Sequence, residues 1–240
     1  MRKVFIGIVT LFLASEALYA QQHEGVVFAI KEVTLQSPVL QEIITDVLVK
    51  EGSEVKKGDV VVELRKEREE LDVKLSEKLI QLKQFIARGH HKLFKDEMGS
   101  EEKALEAKTE LELAVLQLEA KRIALAEKTV RAPLDGIVVK KYKDAGESVA
   151  REDKLVDIVN IDQVEVRFIR LPPALRPALK PGATVKVKVT ELGNAEFSGK
   201  ITFVDPRIDP ASNTLQAWVE IENKDHQIKP GMRVQAEFGK

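Results

Sequence analysis

Hydrophobic and polar positions divide the chain into stretches with different periodicities. Residues 25–64 alternate short apolar runs with turns, and the Gly58-Asp59 pair precedes the apolar run Val60–Leu64, which is typical of short strands. Residues 65–128 contain no proline, and their apolar residues recur at three- and four-residue steps, which predicts helix. From Val130 onward the pattern returns to strands and turns, so we expect β, then α, then β structure.

Two apolar stripes in the helical segment predict a pair of packed helices. The first stripe consists of Leu71, Leu75, Leu79, Leu82 and Ile86. The second consists of Ala104, Leu111, Leu118 and Leu125, with Ala107, Ala114 and Val115 beside it. The pattern breaks at about residues 89–99, and Ser100 is the candidate N-cap of the second helix. Neither helix could bury its stripe alone, so we expect an antiparallel, coiled-coil-like hairpin over residues 65–129.

An internal repeat links the two β segments that flank the helices. The first copy has Gly52, Val55 and Asp59, and the second has Gly146, Val149 and Asp153, each 94 positions later. An apolar strand follows each copy, and Glu152 stands where the first copy has Gly58. Two similar halves on either side of a helical hairpin imply that the halves pair in space and that the hairpin is an insertion.

The first twenty residues predict a secretory signal peptide. A basic start, Met1-Arg2-Lys3, precedes an apolar run of about ten residues and then small residues, which is the usual order in such peptides. The run is too short to span a bilayer, which needs about 20 apolar residues. We expect cleavage after Ala17 or Ala20 and export of the mature chain to the periplasm.

Composition and charge exclude several classes of protein. The 240 residues include no cysteine, which excludes disulfide scaffolds, thiol nucleophiles and thiolate metal sites. A formal net charge of −1, from 38 basic and 39 acidic residues, argues against nucleic acid as a partner. Charged residues make up 32% and aromatic residues only 5%, which favours long solvated helices and thin β modules over one wide core.

No residue constellation in the sequence indicates catalysis, a metal site or a cofactor. The histidines are His23, His90, His91 and His226, and they lack the spacing of a zinc hydrolase. His90 and His91 are interpreted as part of a solvated turn near the hairpin tip. Asp205 and Asp209 each precede a proline, which favours turn formation over acid–base chemistry. The sequence therefore predicts a protein that is not an enzyme and holds no cofactor or metal.

Several segments carry a family resemblance. Residues 37–59 and 131–138 resemble the split biotinyl/lipoyl-like domain of bacterial periplasmic adaptor proteins, also called membrane fusion proteins, of efflux pumps and type I secretion systems. Residues 179–187, 203–214 and 228–234 resemble the barrel strands of the same family. The segments follow the family's order, and the resemblance covers essentially the whole mature chain.

The resemblance implies an α+β fold that is mostly β. It consists of a split lipoyl-like β-sandwich interrupted by an antiparallel α-helical coiled-coil hairpin, followed by a small antiparallel β-barrel. The expected domains are residues 1–20 as signal peptide, 21–64 with 130–160 as lipoyl-like domain, 65–129 as hairpin and 161–240 as barrel. The membrane-proximal domain that family members often carry is expected to be absent, because only residues 21–32 precede the lipoyl-like half.

The resemblance also implies function and partners. It implies a subunit of a tripartite efflux or export system that links an inner-membrane transporter, proton-driven or of the ABC type, to an outer-membrane channel. Such adaptors form homo-oligomeric rings, commonly hexameric. Some carry a channel-docking motif at the hairpin tip, which is an arginine, a leucine four residues later and a serine seven residues after the leucine. Leu93 and Ser100 have the spacing between the leucine and the serine of the motif. Gly89 occupies the position of the arginine, so Arg88, one residue away, completes the candidate site.

Two other functions remain open from the sequence. The first is a structural or interaction module of the envelope that has this fold without serving a pump. The second is a lipoyl or biotinyl carrier, whose modified lysine would lie at a tight turn between the two halves. The helical segment fills that place here, and Lys66 and Lys128 at its ends are interpreted as solvated helix-end charges.

Overall fold

The computed structural model describes residues 22–238, so the predicted signal peptide lies outside the described residues. The predicted fold class is confirmed: the chain is mostly β, with two long helices and a closed barrel. The helices are α1 (Glu67–Lys95) and α2 (Glu101–Ala126). The strands are β1 (Gln22–Gln36), β2 (Gln41–Val47), β3 (Glu54–Val55), β4 (Val60–Leu64), β5 (Thr129–Arg131), β6 (Gly136–Lys141), β7 (Ser148–Ala150), β8 (Lys154–Leu171), β9 (Thr184–Val189), β10 (Ala195–Val204), β11 (Leu215–Glu222) and β12 (Arg233–Glu237).

The described residues form two compact units. One contains residues 33–158, with the lipoyl-like strands and both helices, and the other contains residues 22–32 with 159–238, which form the barrel. The long strands β1 and β8 each contribute residues to both units.

The two halves of the lipoyl-like unit pair strand by strand. β2 of the first half pairs with β7 of the second, with Gln41 opposite Ala150. β4 pairs with β5, and β3 pairs with β6. Valine, isoleucine and leucine side chains from both halves fill one core, among them Ile44, Leu64, Val138 and Ile158. Because each half supplies only part of the sheets, the chain on both sides of the helices is needed for one core.

The internal repeat is reproduced in hydrogen bonds between the backbone and aspartate side chains. The carboxylate of Asp59 accepts the backbone N–H of Lys56 at 2.8 Å, and that of Asp153 accepts the backbone N–H of Ala150 at 3.0 Å. Both pairs keep the 94-residue offset found in the sequence. An aspartate side chain that bonds the backbone in this way stabilises a tight turn, so the two turns are equivalent.

The substitution within the repeat keeps the local backbone conformation. Gly52 and Gly146 have φ angles of +87° and +88°. Gly58 has φ of +97°, and Glu152, its counterpart, has φ of +69°. A glutamate therefore adopts the left-handed conformation that glycine adopts at lower cost.

Six strands close the barrel in the order β1, β12, β9, β10, β11 and β8, with β8 pairing back to β1. Alternate residues point inward along each strand, as with buried Val164, Val166 and Phe168 on β8. Gly25 on β1 also points inward, because a Cβ atom at this residue would lie 2.9 Å from the Phe168 ring. The glycine thus leaves room for the largest buried side chain of the unit.

Candidate functional site

The seam between α1 and α2 is lined by small and branched residues. On α2 the buried residues are Ala107, Ala114 and Leu118. On α1 the half-buried residues at heptad spacing include Val73, Ile80 and Ala87. Alanines on one side of a seam let two helix backbones approach closely, so this seam is narrow.

Ion pairs across the seam define its register. They are Lys83 with Glu110 at 2.6 Å, Lys121 with Asp72 at 2.8 Å and Arg122 with Glu77 at 3.0 Å. In the first two pairs the residue numbers add to the same total, as antiparallel helices in constant register require. The hydrogen bond from Lys121 lowers the pKa of Asp72. The predicted antiparallel hairpin is confirmed, and its α2 stripe lies in the seam, except that Val115, predicted beside the stripe, is 48% exposed.

The stripe predicted for α1 does not face α2, which corrects the sequence prediction. Leu71, Leu75, Leu79 and Leu82 are exposed, with Leu75 at 68%, and only Ile86 of the predicted set is half-buried. Phe85 extends the exposed stripe and is 78% exposed. The prediction failed because α1 carries two apolar stripes, and the leucine-poor one meets the alanines of α2.

A second exposed apolar face lies on α2. Leu105, Leu116 and Ile123 are 61%, 65% and 55% exposed. Their spacings of eleven and seven residues place them on one side of a helix with 3.6 residues per turn. That side is opposite to the buried Leu118 and Ala114. The hairpin is therefore a layer of two helices with an apolar outer face on each helix.

The tip of the hairpin is shorter than predicted. α1 continues through Gly89 to Lys95, so His90 and His91 lie in the helix and not in a turn. The helix ends where Glu97 takes a φ of +59°, the N–H of Met98 donates to the oxygen of Leu93 and the N–H of Glu97 donates to that of Phe94. This pair of bonds is the Schellman ending of a helix, which uses a left-handed residue. A glycine inside a helix costs only about 1 kcal/mol relative to alanine, so Gly89 does not end α1.

The three candidate tip residues do not share one face. Arg88 and Leu93 are both exposed on α1, but five positions correspond to about 140° around a helix. Ser100 occupies the N-cap of α2 as predicted, although its side chain makes no capping hydrogen bond. Leu93 lies close to Gly99, the residue before Ser100, since a Cβ atom at Gly99 would be 3.0 Å from the Leu93 Cβ. The structure therefore groups Leu93 with the tip loop and places Arg88 apart.

Arg88 instead lines a groove of about 500 Å³ at the tip-proximal end of the seam. Alanines and larger apolar side chains form much of its lining, and cationic side chains outnumber the single carboxylate. The lining residues are Gln84, Ala87, Arg88, His91, Phe94, Glu101, Ala104, Leu105, Lys108 and Leu111. Sequence reasoning singled out Arg88 among them but missed Phe94 and Lys108, whose adjacency depends on the register of the two helices.

A buried ion cluster lies at the opposite end of the hairpin. The Nζ of Lys128 is 2.7 Å from Glu42 Oε2 and 3.1 Å from Glu69 Oε1. Glu42 also accepts a hydrogen bond from Arg65 at 3.1 Å. Burial raises the pKa of Glu42, but the hydrogen bonds from Lys128 and the Ile43 N–H outweigh it and hold that pKa below its ordinary value. Burial lowers the pKa of Lys128, but the two carboxylates raise it further than burial lowers it.

This cluster corrects the interpretation of Lys128 as a solvated charge. Its side chain is only 9% exposed, since it is enclosed between the lipoyl-like sheet and the first turn of α1. Lys66 at the other junction is more open and pairs with Glu63 at 3.2 Å.

Among residues 22–238, no group of three or more histidine, cysteine, aspartate or glutamate side chains is arranged to hold a metal ion. In the same part of the chain, no helix is both long enough and apolar enough to cross a bilayer.

Two family models together match most of the chain. Residues 32–160, more than half of the chain, match the model described as CzcB-like, barrel-sandwich hybrid domain. Residues 169–240 match the model described as CusB-like, beta-barrel domain. The first match covers the unit that carries the hairpin, and the second covers most of the barrel.

Curated relatives match shorter stretches. The cation efflux system protein CusB of Escherichia coli (strain K12) is 27% identical over 104 residues, which are 43% of this chain and 25% of the relative. The putative membrane fusion protein SilB of Salmonella typhimurium is 24% identical over 118 residues, 49% of this chain and 27% of the relative. The matched stretches thus span about a quarter of the length of these relatives.

Solved structures agree on the fold. A MacA-MexA chimeric protein containing the Pseudomonas aeruginosa MexA α-hairpin domain superposes with a TM-score of 0.78 at 21% identity, covering 91% of this chain and 81% of that one. The membrane fusion protein Spr0693 of Streptococcus pneumoniae R6 superposes with a TM-score of 0.73 at 16% identity, covering 91% and 99%. With a split lipoyl-like unit, a helical hairpin, a six-stranded barrel and two matching family models, the chain belongs to the membrane fusion protein family of periplasmic adaptors.

Proposed function

We propose that the chain is the periplasmic adaptor subunit of a tripartite efflux or export assembly, exported by its signal peptide, that links an inner-membrane transporter to an outer-membrane channel. Membership of the adaptor family supports the general role. The names of two relatives refer to cation efflux and membrane fusion, and we propose export across the envelope as the shared activity. We also propose that several copies of the chain associate, for which the hairpin supplies the physical argument.

The exposed apolar faces of the hairpin carry this proposal. One face, on α1, contains Leu71 and Leu75, and the other, on α2, contains Leu116 and Ile123. Exposed leucines at helical spacing form an apolar face, and packing this face against another helix removes it from water. We infer that the α1 face of one copy packs against the α2 face of the next.

A contact between unlike faces has a consequence for symmetry. A contact that joins two different surfaces of the same chain can repeat, and it generates a ring when the rotation closes. We propose a ring of hairpins in which each copy donates one face and accepts the other, with six copies as the expected number. A two-fold dimer would cover only one of the two faces in each copy and leave the other in water.

The tip is proposed to contact the outer-membrane channel. Leu93, Phe94 and Met98 are exposed there at 44%, 40% and 72%. Arg88 is exposed on the adjoining turns of α1, and Ser100 begins α2. An apolar tip with a basic groove beside it suits a partner whose helices present apolar and acidic side chains.

Cysteine crosslinking tests the ring. The chain has no native cysteine, and the register of the hairpin puts Leu71 and Ile123 at the same height on opposite outer faces. We expect the L71C/I123C chain, oxidised in membranes that contain its transporter, to give a ladder of disulfide-linked multimers. Each single-cysteine chain is the matched control and should give no species above a dimer. Monomers alone from the double variant would contradict the proposed ring.

Affinity purification from membranes tests the link to transport separately. We expect an inner-membrane transporter to co-elute with the tagged chain, and its identification would name the transporter class. A ladder of multimers without any transporter in the eluate would favour the other candidate, an envelope module that assembles without serving a pump.

A further inference from the structure

Both ends of the hairpin join the lipoyl-like unit through two-residue links. Residues 65–66 connect β4 to α1, and residues 127–128 connect α2 to β5. The backbone of each link is hydrogen-bonded: the N–H of Arg65 donates to the oxygen of Ile43 at 2.9 Å, and the N–H of Leu64 donates to that of Lys128 at 2.8 Å. Short, bonded links restrict bending, but backbone bonds alone leave the helix axes free to rock about them.

A single carboxylate holds both links through their side chains. Glu42, on β2, accepts a hydrogen bond at Oε1 from Arg65 at 3.1 Å and one at Oε2 from Lys128 at 2.7 Å. Lys128 extends the cluster to Glu69 in the first turn of α1 at 3.1 Å. One sheet residue is therefore connected to the link before α1, to the link after α2 and, through the lysine, to the first turn of α1.

Burial makes this geometry hard to rearrange. The side chains of Lys128, Glu42 and Glu69 are 9%, 11% and 19% exposed. A charge in such a place is costly unless it keeps its partner, so an alternative tilt of the helices that separated the partners would be strongly disfavoured. Buried ion pairs contribute less to net stability than to the selection of one arrangement in some proteins.

We propose that Glu42 is a positioning residue that fixes the direction of the hairpin relative to the lipoyl-like sheets, so that hairpin and sheets move as one body. At 1.5 Å per residue, the 29 residues of α1 span about 43 Å, so a tilt of about 10° at the base would displace the tip by about 7 Å. The contacts of Glu42 with Arg65 and Lys128, which we call the clamp, thus determine where the tip lies. The proposal depends on the contacts of one chain and holds whether or not the proposed ring forms.

Distance measurement between two spin labels tests the clamp. Labels on K95C, near the tip, and R151C, in an exposed turn of the lipoyl-like unit, are unique because the chain has no native cysteine. We expect one narrow distance distribution in the parent chain. The substitution E42Q keeps the shape of the side chain but removes the charge that both cations share, and we expect it to at least double the width of the distribution.

The control is E63Q, which removes the same charge from the half-buried Lys66–Glu63 pair at the same base and should leave the width unchanged. A folded E42Q chain with the parent's narrow distribution would overturn the proposal, as would equal broadening in E63Q. If E42Q does not fold, R65Q replaces it, because Arg65 is exposed and its loss leaves the buried charges paired. We then expect an intermediate width, and a parental width in R65Q would overturn the proposal.

Discussion

Gly199 on β10 lies directly against Val219 on β11, and a Cβ atom on the glycine would come within 2.4 Å of the valine Cγ1. The same atom would lie 3.0 Å from Ile221 Cγ1. Both neighbours are fully buried in the barrel core, so neither side chain can move aside into water. The glycine is required by close packing and not by its φ angle.

We predict that Gly199→Ala destabilises the barrel by about 2 kcal/mol, the usual cost of forcing an extra carbon into a packed core. Trp218 is the single tryptophan of the chain and lies on β11, so urea unfolding followed by its fluorescence reports on this unit. Gly89→Ala is the matched control, and because Gly89 lies in the unit that carries the hairpin it is followed by circular dichroism at 222 nm. Apart from its chain neighbours and the backbone of its own helix, no atom lies within 4 Å of its Cβ position, and the change should stabilise α1 by about 0.5–1 kcal/mol. A loss of stability in both variants would contradict the packing argument.

The left-handed conformation of Glu152 leads to a second prediction. Its counterpart Gly58 shows that the repeat accepts glycine at this turn, and glycine avoids the strain that a side chain brings there. We predict that Glu152→Gly raises the stability of the lipoyl-like unit by about 0.5–1 kcal/mol, measured by thermal unfolding with circular dichroism. Glu152→Ala removes the same charge but keeps a Cβ atom, so it should give no such gain. Equal gains in both variants would assign the effect to charge.

Two leucines on α2 separate the seam from the outer face. Leu118 is 8% exposed and Leu116 is 65% exposed, although they are two positions apart. We predict that Leu118→Ala costs about 3 kcal/mol and that Leu116→Ala costs less than about 0.5 kcal/mol in the isolated chain. Urea unfolding followed at 222 nm measures both. Similar costs would contradict the assignment of the two faces.

The architecture of the hairpin could be predicted in part from the sequence. On α2 the seam residues Ala107, Ala114 and Leu118 follow a heptad spacing, so periodicity identified the correct face. On α1 periodicity identified the wrong face, because the four leucines of the predicted stripe outnumber the large apolar residues of the seam face, Val73 and Ile80. Hydrophobic periodicity identifies the apolar faces of a helix but not which of two such faces packs against the neighbouring helix.

Contacts between residues far apart in the sequence could not be predicted. Lys128 and Glu42 are 86 positions apart, and nothing near either residue distinguishes it from the many exposed charges of the chain. The conformation of Glu97 at the tip is a further example. A glycine is the usual signal for such a helix end, so Gly89 led to a predicted end of α1 that lies too early in the sequence. The repeat around Gly52 and Gly146, in contrast, is local and was visible in the sequence.

The buried His23 leads to a prediction on pH. It lies on β1 with its side chain toward the barrel core, 8% exposed and with its ring centroid 6.1 Å from that of Phe238. Burial lowers the pKa of His23 from its ordinary value of 6.5, so the unfolded chain takes up a proton before the folded chain does. The contribution of neutral His23 to the free energy of unfolding is therefore fully present above about pH 6.5. It falls as the pH drops below 6.5, until the pKa of His23 in the folded chain is reached. We predict that His23→Phe, which keeps a ring beside Phe238, reduces the loss of stability between pH 7.5 and 5.5, measured by urea unfolding with Trp218 fluorescence. An equal loss in the parent and variant chains would contradict the prediction, because every other titrating group is common to both.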